Sequence, residues 1–139
     1  MNEACECVVE THGLLEIAQT SSGNLKTTLL GQLEAGIIGV PACVWNEFQD
    51  LYPDEAEELE GHIPEKISLR KKAYTMKAAV LAEKLNSGFS RGPYDENTDL
   101  HTAAIASVEG LAVLTMTGGT GAFEGLCKKV IDIETWLSD

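Results

Sequence analysis

The sequence predicts an α/β fold: a three-layer α/β/α sandwich with a central parallel sheet. Three observations carry that expectation. Short apolar stretches of strand length recur at ACECVV (residues 4–9), GIIGVP (36–41), LAVLT (111–115) and KKVIDIE (128–134). Segments with helical spacing separate them, and that alternation favours parallel strands covered on both faces. The length of 139 residues fits one domain, enough to bury a core without disulfides.

Taken in order, ACECVV alternates, then turns apolar, and reads as a strand ending near Glu10. HGLLEIAQ (12–19) reads as a short helix. SSGN (21–24) breaks the chain, and Asn24 is the expected cap of a second helix through Leu33. GIIGVP is a short buried strand closed by Pro41, which also suits the first turn of the helix PACVWNEFQDLY (41–52). Pro53 starts a further short acidic helix. IPEKISLRKKAYTMKAAVLAEKLNSG (63–88) reads as the longest helix, with Ile67, Tyr74, Ala78, Leu81 and Leu85 facing the core. Residues 88–93 form a loop, and Thr98 or Asp99 opens the next helix. LAVLT is a strand, TGGTGAFEGLC (117–127) a Gly-rich turn into a helix, and KKVIDIE the last strand.

Composition narrows the function classes. No apolar run reaches membrane-spanning length, and MNEACECVVE lacks the basic-then-apolar form of a signal peptide. Four cysteines without a secretion signal suggest reduced thiols, hence a cytoplasmic location. With 10 basic and 22 acidic residues the net charge is -12, which opposes nonspecific binding to nucleic acid. Seven of the ten basic residues, however, lie between Lys66 and Arg91.

Ligands of open parallel sheets gather at the carboxyl ends of the strands. Glu10 follows the first strand, Glu47 lies about two turns into the helix after the second, and Asp99 opens the helix before the third. Convergent carboxylates suit a hard cation such as Mg²⁺ or Mn²⁺, which activates water against a phosphodiester. Each acid also has a plainer reading. Asp99 suits a helix N-cap, Glu47 a solvated helix face, and Glu10 a solvated strand end.

Four segments in this order resemble the PIN-domain ribonucleases, which include the toxins of many bacterial toxin–antitoxin pairs. VVETHGLL (8–15) is similar to the family's opening strand and Asp-Thr-Asn turn. VPACVWNEF (40–48) is similar to its second strand and Glu-bearing helix, DLHTAAIA (99–106) to its third acidic segment, and GLAVLTMT (110–117) to the strand ending in Thr-x-Asp. Glu47 and Asp99 match the family pattern. Glu10 stands where the family has Asp, His12 where it has Asn, and Thr117 where it has a further Asp. The resemblance implies a PIN-like fold and a metal-dependent endoribonuclease. Mg²⁺ or Mn²⁺ would be held by Glu47 and Asp99 with Glu10 contributing, while His12 and Thr117 orient water or substrate. It further implies an RNA substrate, an antitoxin partner and a homodimer, without DNA sequence recognition. The substitutions leave a non-catalytic module that binds RNA or a protein as the alternative. Asp95 and Glu96 are spare acids that the sequence does not place.

Two further motifs bear on binding. Lys66, Arg70, Lys77 and Lys84 share a narrow arc if residues 63–88 form one regular helix. That stripe either grips an RNA backbone or is a solvated face paired with DEAEELE (54–60). TGGTGAFEG (117–125) resembles the Gly-rich turn of short-chain dehydrogenases, with Glu124 in place of the last glycine. Such a turn either cradles phosphate on backbone N–H groups, which would make the chain a nucleotide-binding protein, or is a tight turn under a closely packed helix. In the PIN-like reading Gly118 and Gly119 line the site and leave room for substrate. Cys5 and Cys7 have no second cysteine pair to make a zinc site, and read as buried strand thiols. His101 reads as a surface helix residue close to Asp99. Trp45 and Trp136 read as local packing, with Trp45 also suited to a dimer surface.

Overall fold

A computed structural model describes residues 4–68, 71–84, 95–123 and 126–138, without the side chains of 84, 95–97 and 122. Its sheet has five parallel strands: β1 (Cys7–Val9), β2 (Ile38–Pro41), β3 (Lys66–Ile67), β4 (Ala112–Thr115) and β5 (Val130–Asp132). They lie in the order β3-β2-β1-β4-β5. The strand order reverses between β1 and β4, whose register pairs Val8 with Val113 and Val9 with Leu114. The α/β/α sandwich expected from the sequence is therefore the fold.

The strands are short, and alternate side chains feed two separate cores. Cys7, Val9, Ile38, Val40 and Leu114 pack under α1 (Thr11–Gln19), α2 (Gly23–Glu34), α3 (Ala42–Leu51), α4 (Pro53–Glu60) and α7 (Ile133–Ser138). Val8 and Val113 face the other way, into α5 (Lys72–Lys84) and α6 (Asp95–Glu109). Tyr74, Ala78 and Leu81 of α5 are buried there, as their helical spacing predicts. Gly13 lets the first turn of α1 approach β4. A Cβ at that position would stand 2.9 Å from the Leu114 carbonyl oxygen and 3.0 Å from Val9 Cγ2.

Several boundaries differ from expectation. Residues 63–71 are not helical: the chain makes the edge strand β3, and α5 begins at Lys72. Pro64 disfavours the α conformation at Ile63, and an edge strand uses Ile67 as well as a helix would. Ile67 therefore packs from a strand. Among the described residues the longest helix is α6, of 15 residues. It starts before Thr98, so Asp99 lies inside it and is not its cap. Ser22, not Asn24, caps α2, accepting from Leu25 N–H. After the Gly-rich turn comes only a 3₁₀ turn, Thr120–Phe123, and the last strand gives way to α7 at Ile133. Leu85, the loop 88–93 and Glu124 lie outside the described residues. No helix among the described residues is long and apolar enough to cross a membrane.

Candidate functional site

The crevice at the carboxyl ends of β1 and β4 is the topological switch point, where open α/β sheets bind ligands. Glu10 sits at its floor, 3 % exposed. Its backbone N–H continues the sheet by donating to the Leu114 carbonyl at 3.0 Å. Its carboxylate folds back as the N-cap of α1. Oε1 accepts from Gly13 N–H at 2.5 Å, and Oε2 from His12 N–H at 3.0 Å. Thr115, the last residue of β4, donates its hydroxyl to Oε1 at 3.0 Å. These donors hold the carboxylate against two elements and leave part of its four-site acceptor capacity. The plainer reading of Glu10 as a solvated acid does not hold.

Glu47 is buried at 5 % exposure on α3. Its Oε2 meets no hydrogen-bond donor among the described residues. A buried carboxylate oxygen without a donor is costly, since its water shell has been removed and not replaced. Asp99 is half-buried in the second turn of α6.

His12 touches one of the three acids, Glu10, and feels only the charge of the other two. Its Nδ1 lies 3.4 Å from Glu10 Oε2. Its pKa is raised first by the hydrogen bond to Glu10; partial burial opposes this, and the charges of Glu10, Asp99 and Glu47 add to it. The imidazole is 55 % exposed, so it stands at the mouth of the crevice. Within α6 the Thr102 hydroxyl donates to the Thr98 carbonyl at 2.8 Å, and burial pushes the pKa of the Cys43 thiol of α3 up to about 12. His101 is half-buried on α6, and desolvation lowers its pKa, so it is not simply a surface residue.

The other expected site residues are dispersed. Thr117 is exposed and tied to α1: its N–H and hydroxyl donate to the two oxygens of Glu16, each at 2.7 Å. Gly118, at φ 81°, donates its N–H to Asp132 Oδ2 at 3.2 Å, and Gly119 N–H donates to the Met116 carbonyl at 2.8 Å. Those two N–H groups serve the turn itself and do not form an open phosphate cradle. Gly119 still bears on the site, because a Cβ there would stand 3.0 Å from Thr115 Oγ1. Lys66 lies on β3, its Nζ 4.9 Å from the centre of the Trp45 ring, while Lys77 lies on α5. They do not share one helical stripe. Arg70 lies outside the described residues, as do the side chains of Lys84, Asp95 and Glu96.

Sequence reasoning missed Thr115, Glu16 and Asp132. Thr115 ends the strand beside β1, a position that strand order alone would have marked. Asp132 ends β5 opposite Thr115 and binds both Gly118 N–H and Thr135 N–H. Its pKa is lowered, chiefly by the hydrogen bonds at Thr135.

Among the described residues no group of three His, Cys, Asp or Glu side chains is gathered closely enough to hold a metal ion. The predicted three-carboxylate cage is thus not drawn together. Two carboxylates with retained water are nevertheless a normal Mg²⁺ complement. Of the three acids, the Glu47 oxygen without a donor is the feature that would suit such an ion.

No protein-family model matches the chain, and no curated protein does. Among solved structures it is similar to the crystal structure of PAE2754 from Pyrobaculum aerophilum, with a TM-score of 0.65 and 14 % identity. That likeness covers 98 % of this chain and 95 % of the other, and it is a likeness of fold.

Proposed function

We propose that the chain is a PIN-like, divalent-cation-dependent endoribonuclease whose reaction centre is the crevice between β1 and β4. The observation that supports this most is Glu47: a carboxylate 5 % exposed, with a donorless oxygen, in a crevice shared with Asp99 and Glu10. Glu47 and Asp99 would hold Mg²⁺ or Mn²⁺. The ion, when bound, would supply Lewis-acid activation of water and of the phosphodiester oxygens.

The chain's own residues have separable tasks. Glu10 keeps the start of α1 against β4, with Thr115 fixing its Oε1. His12, favoured in its protonated form chiefly by its hydrogen bond to Glu10, would meet a phosphate oxygen at the mouth. Thr117 is held by Glu16 at the rim, where it would border the strand.

One observation favours a second reading, a binding module without catalysis. Glu10 already accepts from His12, Gly13 and Thr115, which suits a structural cap. Cleavage of a mixed RNA with Mg²⁺, with Mn²⁺ and with EDTA separates the two, run beside Asp99→Asn and Glu47→Gln. The nuclease reading expects metal-dependent cleavage, reduced on the order of a hundredfold in each variant. It also expects Mn²⁺ to raise the Tm of the parent chain but of neither variant. RNA binding without cleavage, together with a Tm indifferent to both metals, would establish the binding module instead.

A further inference from the structure

We infer that a lysine-lined cavity at the amino end of the sheet binds a phosphate-bearing ligand of nucleotide size. The cavity measures about 490 Å³, within the range of small-molecule sites. It lies between α5, the end of α6, the start of β4 and the loop before β5. The acidic crevice is at the opposite ends of the same strands, so this inference does not depend on any cation or chemistry there.

Charge is the first argument. In a chain of net charge -12, a surface lysine has abundant carboxylates to pair with. Lys26 pairs with Glu58 and Lys71 with Glu109. Lys77, Lys128 and Lys129 form no ion pair among the described residues, and all three line this one cavity. No acid is among its described lining residues. Three lysines lining one hollow concentrate positive charge there, which a doubly charged phosphate would offset. Ser107 lines the same hollow and brings a hydroxyl that can donate.

Shape and anchoring are the second argument. Leu81, Leu111 and Leu126 supply apolar wall beside the lysines, which suits a ligand carrying a flat or apolar group on its phosphate. The walls are held in place by backbone bonds. The Lys129 carbonyl accepts from Val113 N–H at 2.9 Å and from the Cys127 thiol at 3.1 Å. Leu111 N–H closes the end of α6 on the Ala106 carbonyl at 2.8 Å, with Gly110 at φ 71° making the turn. That bond covers one carbonyl of the helix's negative end, which would otherwise oppose an anion. A free mononucleotide and the 5′-phosphate end of an RNA strand both present the required chemistry.

The test is an NMR titration of the ¹⁵N-labelled full chain in metal-free, phosphate-free buffer. The probes are 5′-AMP, inorganic phosphate and a 5′-phosphorylated tetranucleotide. 5′-AMP should shift the amides of Ser107, Gly110 and Lys128 saturably, and inorganic phosphate should bind more weakly because it leaves the leucine wall uncovered. Lys128→Ala with Lys129→Ala should weaken 5′-AMP by about tenfold, and Ser107→Asp should act in the same direction. Tighter binding of the tetranucleotide at these amides would assign the site to an RNA end, and equal binding to a free nucleotide. No saturable shift, affinity unchanged in both variants, or phosphate binding as tightly as 5′-AMP would overturn the inference.

Discussion

The two ends of the parallel sheet carry opposite chemistry. At the carboxyl end, Glu10 stands against the His12 imidazole within the field of Asp99 and Glu47, and Thr115 donates to Glu10 across the β1–β4 junction. At the amino end, three lysines line a hollow with no acid among its described residues. A net charge of -12 averages over both and describes neither. Net charge therefore bounds nonspecific association, while local placement decides what each end can bind.

The carboxyl end is also the tightly built one, and Gly13 is where to break it. Gly13→Ala should cost about 1–3 kcal/mol in urea unfolding, because the obstacle is the Leu114 carbonyl, which cannot rotate away. An unchanged midpoint would mean that α1 does not approach β4 so closely. Thr115→Val is the next test. It removes the hydroxyl donor from Glu10 Oε1 at nearly constant volume and should cost about 1 kcal/mol, with Thr115→Ser restoring most of it.

The amino end contains one network of its own, which sharpens the contrast through pH. Glu109 accepts from the Tyr74 hydroxyl at 2.5 Å and from Lys71 Nζ at 2.9 Å. The Tyr74 bond first, and then the Lys71 bond, lower its pKa. A lowered carboxyl pKa stabilises the fold above the ordinary carboxylate range, and the contribution is lost as pH falls through the folded value. Glu109→Gln should therefore flatten the acid side of the stability profile, by under about 1 kcal/mol because solvent screens the pair. Burial first, and then the bond to Glu109, push the Tyr74 pKa up to about 12. The smallest effect is expected of Lys128→Ala with Lys129→Ala, which should move unfolding free energy by no more than about 0.5 kcal/mol. A larger loss would show that these lysines stabilise the loop and are not free for a ligand.

The sequence by itself determined the α/β class with its parallel sheet and four of the five strands, β1, β2, β4 and β5, because short apolar strands separated by amphipathic helices have few other ways to bury both faces. It also marked Glu10, Glu47 and Asp99, since acids at strand ends and early in flanking helices share one edge of such a sheet. Local signals misled where two conformations used the same apolar residues. Ile67 serves an edge strand as well as a helix, so Lys66 and Lys77 were drawn onto one stripe that does not exist. Tertiary structure decided the rest. Thr115, not Thr117, meets Glu10, because β4 pairs with β1 and its last hydroxyl lies beside the cap. Lys77 lines the same cavity as Lys128 and Lys129 only because α5 packs against α6 beside the loop before β5, and no local pattern encodes the juxtaposition of residues some fifty positions apart.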